Sequence, residues 1–194
     1  MLPFQECSYH LILGSSSKRR QDLLKKMGFD FDVVVKEVEE IYPPQMNFED
    51  VPEYIAHLKS IAYNIEELPE NALLITADTL VILDKQIFGK PKDREEAIRM
   101  LYTLSGQTHK VITGVCLKTA KKQQSFSVQS KVTFRVFSLE EIEYYIDTYK
   151  PYDKAGAYGL QEWIGYVGLE HIEGSFFNVM GLPTQRLYKA FMDF

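Results

Sequence analysis

From Ala72 to Leu83 the chain reads Ala-Leu-Leu-Ile-Thr-Ala-Asp-Thr-Leu-Val-Ile-Leu. A run this apolar and this rich in β-branched residues has to be covered on both faces, which is the environment of strands in the middle of an α/β sheet. It reads as a buried strand pair. Asp78 is its one charge. A carboxylate in such surroundings is costly to desolvate unless a cation or hydrogen-bond donors meet it. Two readings stand side by side. Asp78 is a structural acid satisfied by neighbouring threonines, or it is a strand-end acid facing a cleft, where it can hold a metal or activate water.

The rest of the chain has an α/β rhythm around that run. His10-Leu11-Ile12-Leu13 is a short strand that reaches Gly14 and three serines. A helical pattern with Leu23, Leu24 and Met27 on one face follows and stops at Gly28. Phe31 to Val35 reads as a second strand, and Pro52 to Asn64 as a helix beyond an acidic loop. Asp93 with Glu96, and Ser138 with Glu141, have the spacing of capping boxes that open helices to Leu104 and to about Asp147. His109 to Leu117 and Phe126 to Phe137 form strands joined by a Lys- and Gln-rich hairpin. Pro151 to Gly165 is a Gly- and Tyr-rich functional loop, Tyr166 to Ile172 a last strand, and Pro183 opens a C-terminal helix. With 194 residues, 45% hydrophobic and 25% charged, the chain suits one domain, residues 1–194, or a pair of lobes around one cleft.

Charge sorts the possible ligands. There are 22 Lys plus Arg against 27 Asp plus Glu, a net charge of −5 that disfavours a nucleic-acid polymer. The bases are nevertheless gathered: Lys18, Arg19, Arg20, Lys25 and Lys26 stand against Asp22 alone, directly after Gly14-Ser15-Ser16-Ser17. A strand that ends in small residues at a helix N-terminus presents free backbone N–H groups, and arginine grips phosphate bidentately. The same residues also make an ordinary serine cap with a solvated basic face. No P-loop pattern and no G-x-S-x-G elbow occurs.

Four further positions have a plain and a functional reading. Glu39 and Glu40 form part of an acidic loop that can simply face solvent, and adjacent carboxylates there leave room for at most one ligand. Lys59 and Lys90 are ordinary surface lysines when read alone, although the Gly89-Lys90-Pro91 turn aims Lys90. In Asp153 to Gln161 the small residues allow close backbone approach, and the Gln161 amide both donates and accepts, as a base edge requires; the same residues equally make a tight structural loop. His10, His57, His109 and His171 are scattered and receive no catalytic role. Cys7 and Cys116 are two ordinary thiols, which fits a reducing cytoplasm, and no apolar stretch approaches the roughly 18 residues of a membrane span. Residues 1–10 show no secretory signal.

Taken together the segments resemble the Maf family of nucleotide pyrophosphatases, also called septum-formation inhibitor Maf-like proteins. The resemblance is carried by Leu11 to Arg20, Thr76-Ala77-Asp78-Thr79, Gly89-Lys90-Pro91, Leu104-Ser105-Gly106 with Thr108-His109, Asp153 to Gly159 with Gln161, and Ile172-Glu173-Gly174-Ser175 with Asn178 and Gly181-Leu182-Pro183. It implies a mixed, twisted central sheet flanked by helices, similar to inosine triphosphatases, with two lobes around a cleft. It also implies hydrolysis of a nucleoside triphosphate to the monophosphate and pyrophosphate with a divalent cation, Mg²⁺ or Mn²⁺. By that analogy Asp78 is the catalytic general base, Glu40 and Asp78 are the metal-side carboxylates, and Ser15, Arg19, Arg20, Lys59, Lys90 and Gln161 bind substrate. The Ala-Asp-Thr and Asp-Lys-Ala-Gly-Ala-Tyr-Gly sequences resemble the dTTP/UTP branch, with modified pyrimidine nucleotides as further targets, and a homodimer is what the family suggests. Two departures from the family pattern are Lys18, where proline is usual, and Glu162-Trp163-Ile164, where glycine and small apolar residues are usual. A competing reading is a nucleotide-binding regulator of cell division with little or no turnover. A third, a small-molecule kinase or phosphatase, is opposed by the missing P-loop and covalent nucleophile.

Overall fold

The computed structural model describes residues 9–194; Cys7 lies outside them. In chain order the elements are β1 (His10–Leu13), α1 (Lys18–Lys26), β2 (Asp32–Val33), α2 (Val51–Ile61), β3 (Ala72–Leu83), β4 (Gln86–Phe88) and α3 (Arg94–Leu104). They continue with β5 (Thr108–Lys118), β6 (Gln123–Phe134), α4 (Leu139–Tyr149), α5 (Trp163–Gly168), β7 (Leu169–Glu173), α6 (Phe176–Val179) and α7 (Thr184–Met192). The strands follow the order β2-β1-β3-β5-β6-β7, with β4 paired to β3. β1 runs parallel to both β2 and β3, while β3–β4 and β6–β7 are antiparallel, so the sheet is mixed as expected.

Local chemistry explains most boundaries. Gly28 ends α1 with φ 85° and Gly106 follows α3 with φ 70°, conformations that cost glycine nothing. Ser138 and Glu141 form the full reciprocal capping box of α4. At α3 the Asp93 side chain accepts from Glu96 N, but the Glu96 carboxylate accepts from Lys92 N, one residue before the cap. The expected strand pair at Ala72–Leu83 is a single twelve-residue strand. Its partner lies beyond a two-residue turn, where Asp84 takes φ 53° and Leu83 pairs with Gln86. The last strand begins later than its apolar pattern suggests. Tyr166 and Val167 belong to α5, whose Gly165 packs so closely on Leu160 that an added Cβ would lie 1.9 Å from its carbonyl oxygen.

Contacts divide the chain into two compact units. The first comprises Met1–Asp78, Thr113–Val128 and Gly181–Phe194, and the second Thr79–Ile112 and Gln129–Met180. In the first, Ile12, Tyr63, Ala72 and Leu74 pack together with Val34, Ile65 and Leu68 around them. The second buries a larger cluster that includes Phe88, Leu101, Phe134, Tyr145, Tyr158 and Ile164.

Within that second cluster sits a histidine with no catalytic surroundings. His109 is 1% exposed; one ring nitrogen, Nε2, meets the Tyr158 hydroxyl at 2.6 Å, and Nδ1 has no hydrogen-bond partner among the described residues. Burial pushes its pKa down to about 3. The unfolded chain therefore binds a proton near pH 6.5 that the folded chain refuses until about pH 3, so stability falls as pH drops through that window. The loss approaches about 1.4 kcal/mol for each pH unit once the unfolded imidazole is charged. His109→Gln is expected to flatten the pH dependence of denaturant midpoints between pH 6 and 4; an unchanged slope would assign the acid sensitivity to other groups.

Candidate active site

β1 delivers the chain to the basic turn. Gly14 N donates to Ile75 O at 2.8 Å, and a Cβ on Gly14 would lie 2.9 Å from both Thr76 Cγ2 and the Tyr63 hydroxyl, so only glycine brings the turn this close to β3. Ser15 is 8% exposed, and its Oγ accepts from Ser17 N at 3.3 Å and Arg20 Nη1 at 3.3 Å. Lys18, Arg19 and Arg20 make up the first turn of α1, which holds no acidic residue. Cations at the positive end of a helix are unfavourable by some tenths of a kcal/mol each, up to about 1. A bound anion would reverse that sign.

Arg20 is anchored: Nη1 donates to Ala77 O at 2.8 Å and Nε to Gly181 O at 2.8 Å. It thereby fixes the residue before Asp78. Burial lowers its pKa from the ordinary guanidinium value; Asp78 opposes that shift, Arg19 adds to it, and Glu40 opposes it more weakly than Asp78 does. The fields of both carboxylates thus reach this side chain.

Asp78 is 7% exposed and lies on β3. The threonine reading of its environment does not describe its partner: Thr76 Oγ1 donates to Ala56 O at 2.6 Å, on α2, whereas Asp78 Oδ1 accepts from Lys59 Nζ at 2.8 Å. Lys59 is brought there by its helix. Gly114 on β5 lies against the first turn of α2, where a Cβ would come within 2.2 Å of the Pro52 carbonyl. The same ammonium meets Glu40 Oε1 at 2.7 Å. Tyr63 steadies the segment leading to Glu40, since its hydroxyl donates to Val34 O at 2.8 Å and accepts from Lys36 N at 3.1 Å. Of the two adjacent glutamates it is Glu40 that converges with Asp78 on one cation.

The first unit therefore gathers Ser15, Arg20, Glu40, Lys59 and Asp78, with Arg19 one residue from Arg20. Lys90 and Gln161 belong to the second unit. There the turn carrying Lys90 is tied to the small-residue loop, because Gly156 N donates to Gly89 O at 3.0 Å. Lys90 is exposed, and Gln161 Oε1 is buried with no hydrogen-bond partner among the described residues. The loop also holds what the sequence reading passed over. Lys154 is 6% exposed and pairs with Glu162 at 3.1 Å and Asp153 at 2.7 Å, while the Tyr145 hydroxyl donates to Glu162 and accepts from Gly159 N at 3.0 Å. Tyr145 sits on the apolar face of α4, where its periodicity looks like plain core; the unusual Glu162 was the available signal.

The donor chemistry suits a hard divalent cation. Two carboxylate oxygens already converge on a single positive charge. Among the described residues no group of three or more His, Cys, Asp or Glu could hold a metal. Two acidic groups are what Mg²⁺-type sites use when substrate phosphates and water complete the shell.

A dTTP/UTP pyrophosphatase of Porphyromonas gingivalis is 50% identical over 188 residues, 96% of this chain and 94% of that protein. A dTTP/UTP pyrophosphatase of Bacteroides thetaiotaomicron is 52% identical over 181 residues, 93% of each. The structure of the Staphylococcus aureus Ham1 protein matches with a TM-score of 0.54 at 16% identity, covering 95% of this chain and 98% of that one, a likeness of fold alone. The family model described as Maf-like protein spans residues 10–194, from the first residue of β1 past the end of α7, and with these relatives it makes the chain a member of the Maf-like protein family.

Proposed function

We propose that this chain is a nucleoside triphosphate pyrophosphatase that hydrolyses dTTP and UTP to the monophosphate and pyrophosphate. The observation that carries the proposal is a nearly buried Asp78 sharing one ammonium with Glu40, in a chain about half identical to proteins named for that reaction. The Maf-like match covers both units, a reason to propose that residues 1–194 serve one activity.

The reaction breaks the anhydride bond between the α-phosphorus and its bridging oxygen and forms a bond from the same phosphorus to water oxygen; pyrophosphate leaves. Asp78 takes the proton of the attacking water, and with Oδ1 engaged by Lys59 the second carboxylate oxygen is the one assigned to that water. Ser15, Arg19 and Arg20, at the start of α1, hold phosphate oxygens, and Lys59 and Lys90 neutralise developing charge. Gln161 reads the base through its unpaired Oε1. A Mg²⁺ or Mn²⁺ ion held by Glu40 and Asp78 would supply charge neutralisation at the triphosphate.

No helix among the described residues is long and apolar enough to cross a membrane, and a cytoplasmic site of action follows from the substrate proposed. The purified chain, given dTTP, UTP and other nucleotides with Mg²⁺ or Mn²⁺, is expected to release pyrophosphate in a one-to-one ratio with monophosphate. Orthophosphate as the sole direct product would reject the assignment, and no release at all would leave the regulator reading standing.

A further inference from the structure

We infer that Arg20 is a positioning residue for Asp78: its guanidinium fixes the peptide that carries the Asp78 side chain, and it governs turnover through that placement more than through a grip on phosphate. The inference rests on the pyrophosphatase reading with Asp78 as its base, and it divides the work of the arginine pair.

The strand needs a tie at this point. β1 and β3 pair in parallel register as far as Leu13 opposite Ile75, and Gly14 N donates to Ile75 O. Ala77 lies beyond that register. Its carbonyl shares one rigid peptide plane with the Asp78 N–H, so whatever holds the oxygen also sets where the Asp78 side chain starts. Arg20 Nη1 donates to that oxygen at 2.8 Å, as the N–H of a neighbouring strand would. From its other edge the guanidinium donates through Nε to Gly181 O at 2.8 Å, in the segment that leads into α7. A flat group held at both edges does not swing. Ser15, Arg20, Asp78 and Gly181 all belong to the first unit, so this tie lies within one compact body.

The same bonds limit what Arg20 offers a phosphate. Arginine's two-nitrogen grip uses Nη2 together with either Nε or Nη1. Nε has a single hydrogen, given to Gly181 O, and the hydrogens of Nη1 go to Ala77 O and, at 3.3 Å, to Ser15 Oγ. A phosphate therefore meets Arg20 through Nη2 alone. A lysine in this position keeps the charge for that contact, but its one nitrogen cannot span acceptors on separate segments of the chain.

The test is Arg20→Lys beside Arg19→Lys, two substitutions that both keep the charge. For Arg20→Lys, kcat with dTTP and Mg²⁺ is expected to fall by roughly 10²-fold, the worth of misplacing a reacting group by about 1 Å, while Kd for dTTP in EDTA stays within about threefold of the parent. Arg19→Lys should invert the pattern, with Kd weakened by roughly tenfold through loss of a charge-assisted bond and kcat changed less. In an Asp78→Asn background, Arg20→Lys should lower kcat by no more than about threefold further, because the group it places is already gone. Arg20→Ala should regain turnover with added guanidinium and not with added methylammonium. The inference is overturned by an Arg20→Lys variant with the parent's kcat, by a dTTP Kd weakened as much as in Arg19→Lys, by the full loss recurring in the Asp78→Asn background, or by equal rescue with methylammonium. Failure of both Arg20 variants to fold would make Arg20 a residue of stability and overturn it too. Pyrophosphate release by the parent chain tests the underlying reading first: a parent that releases none fails that reading and takes the inference with it, whereas an active parent beside an Arg20→Lys variant of equal kcat fails the inference alone.

Discussion

Asp78→Asn is expected to lower kcat for dTTP and UTP by roughly 10²- to 10⁴-fold, the usual worth of a general base, with KM changed far less. The substitution keeps the shape of the side chain and an oxygen able to accept from Lys59 Nζ, now at 2.8 Å. What it removes is the capacity to take a proton from water, together with the negative charge that Asp78 would offer a cation. The Arg20 bonds to Ala77 and Gly181 and the Thr76 bond to α2 do not involve the carboxylate, so β3 stays in place. Lys59 also keeps Glu40 at 2.7 Å, so its charge is not stranded. Thermal unfolding should shift by only a few degrees, about what a change of ~1 kcal/mol produces in a chain of this size. An unchanged kcat removes Asp78 from the chemistry. A collapse in stability that parallels the loss of activity would make Asp78 a structural acid, the other reading its sequence context allows.

The extent to which the site could be read in the sequence follows from how local each signal is. β1, Gly14, the serines and α1 are contiguous, and periodicity with a Gly stop defines them without help from distant residues. Asp78 announces itself because a charge inside an apolar run demands a partner. The identity of that partner is not local. Lys59 lies on a different helix, and only the packing of Gly114 against Pro52 and the bond from Thr76 to Ala56 bring its ammonium to β3. Residue types alone leave Glu39 and Glu40 equivalent for the same reason, with only the family resemblance naming Glu40, and the structure sets Glu40 apart by a single ion pair. Misplaced boundaries have a similar origin. Tyr166 and Val167 fit a strand by residue type, but the close contact of Gly165 with Leu160 continues a helical turn through them, a tertiary contact overriding propensity.

Lys59→Met is expected to have opposite effects on catalysis and on cation binding, and that contrast follows from the geometry. The ammonium stands 2.8 Å from Asp78 and 2.7 Å from Glu40, with side chains 17%, 11% and 52% exposed respectively. Removing one partner of a sheltered ion pair leaves the other charge uncompensated, at a cost on the order of 3 to 5 kcal/mol when burial is complete. Glu40, half in water, relieves little of this, whereas Asp78 carries most of it. Turnover should fall by roughly 10²-fold or more, as expected when a group that stabilises developing charge is lost. In the nucleotide-free protein, however, the lysine and a divalent cation compete for the same oxygens. With the ammonium gone, two carboxylates face each other with one positive charge fewer, and attraction for a doubly charged ion at such short range grows accordingly. Mn²⁺ titration of the nucleotide-free variant should therefore show a tighter Kd, by roughly tenfold, than the parent. Equal Mn²⁺ affinity in the two proteins would mean that Glu40 and Asp78 do not hold the cation, even if Lys59 proves essential for turnover. Tighter Mn²⁺ binding with undiminished turnover would instead leave the carboxylates as metal ligands and remove Lys59 from the group that steadies the phosphates.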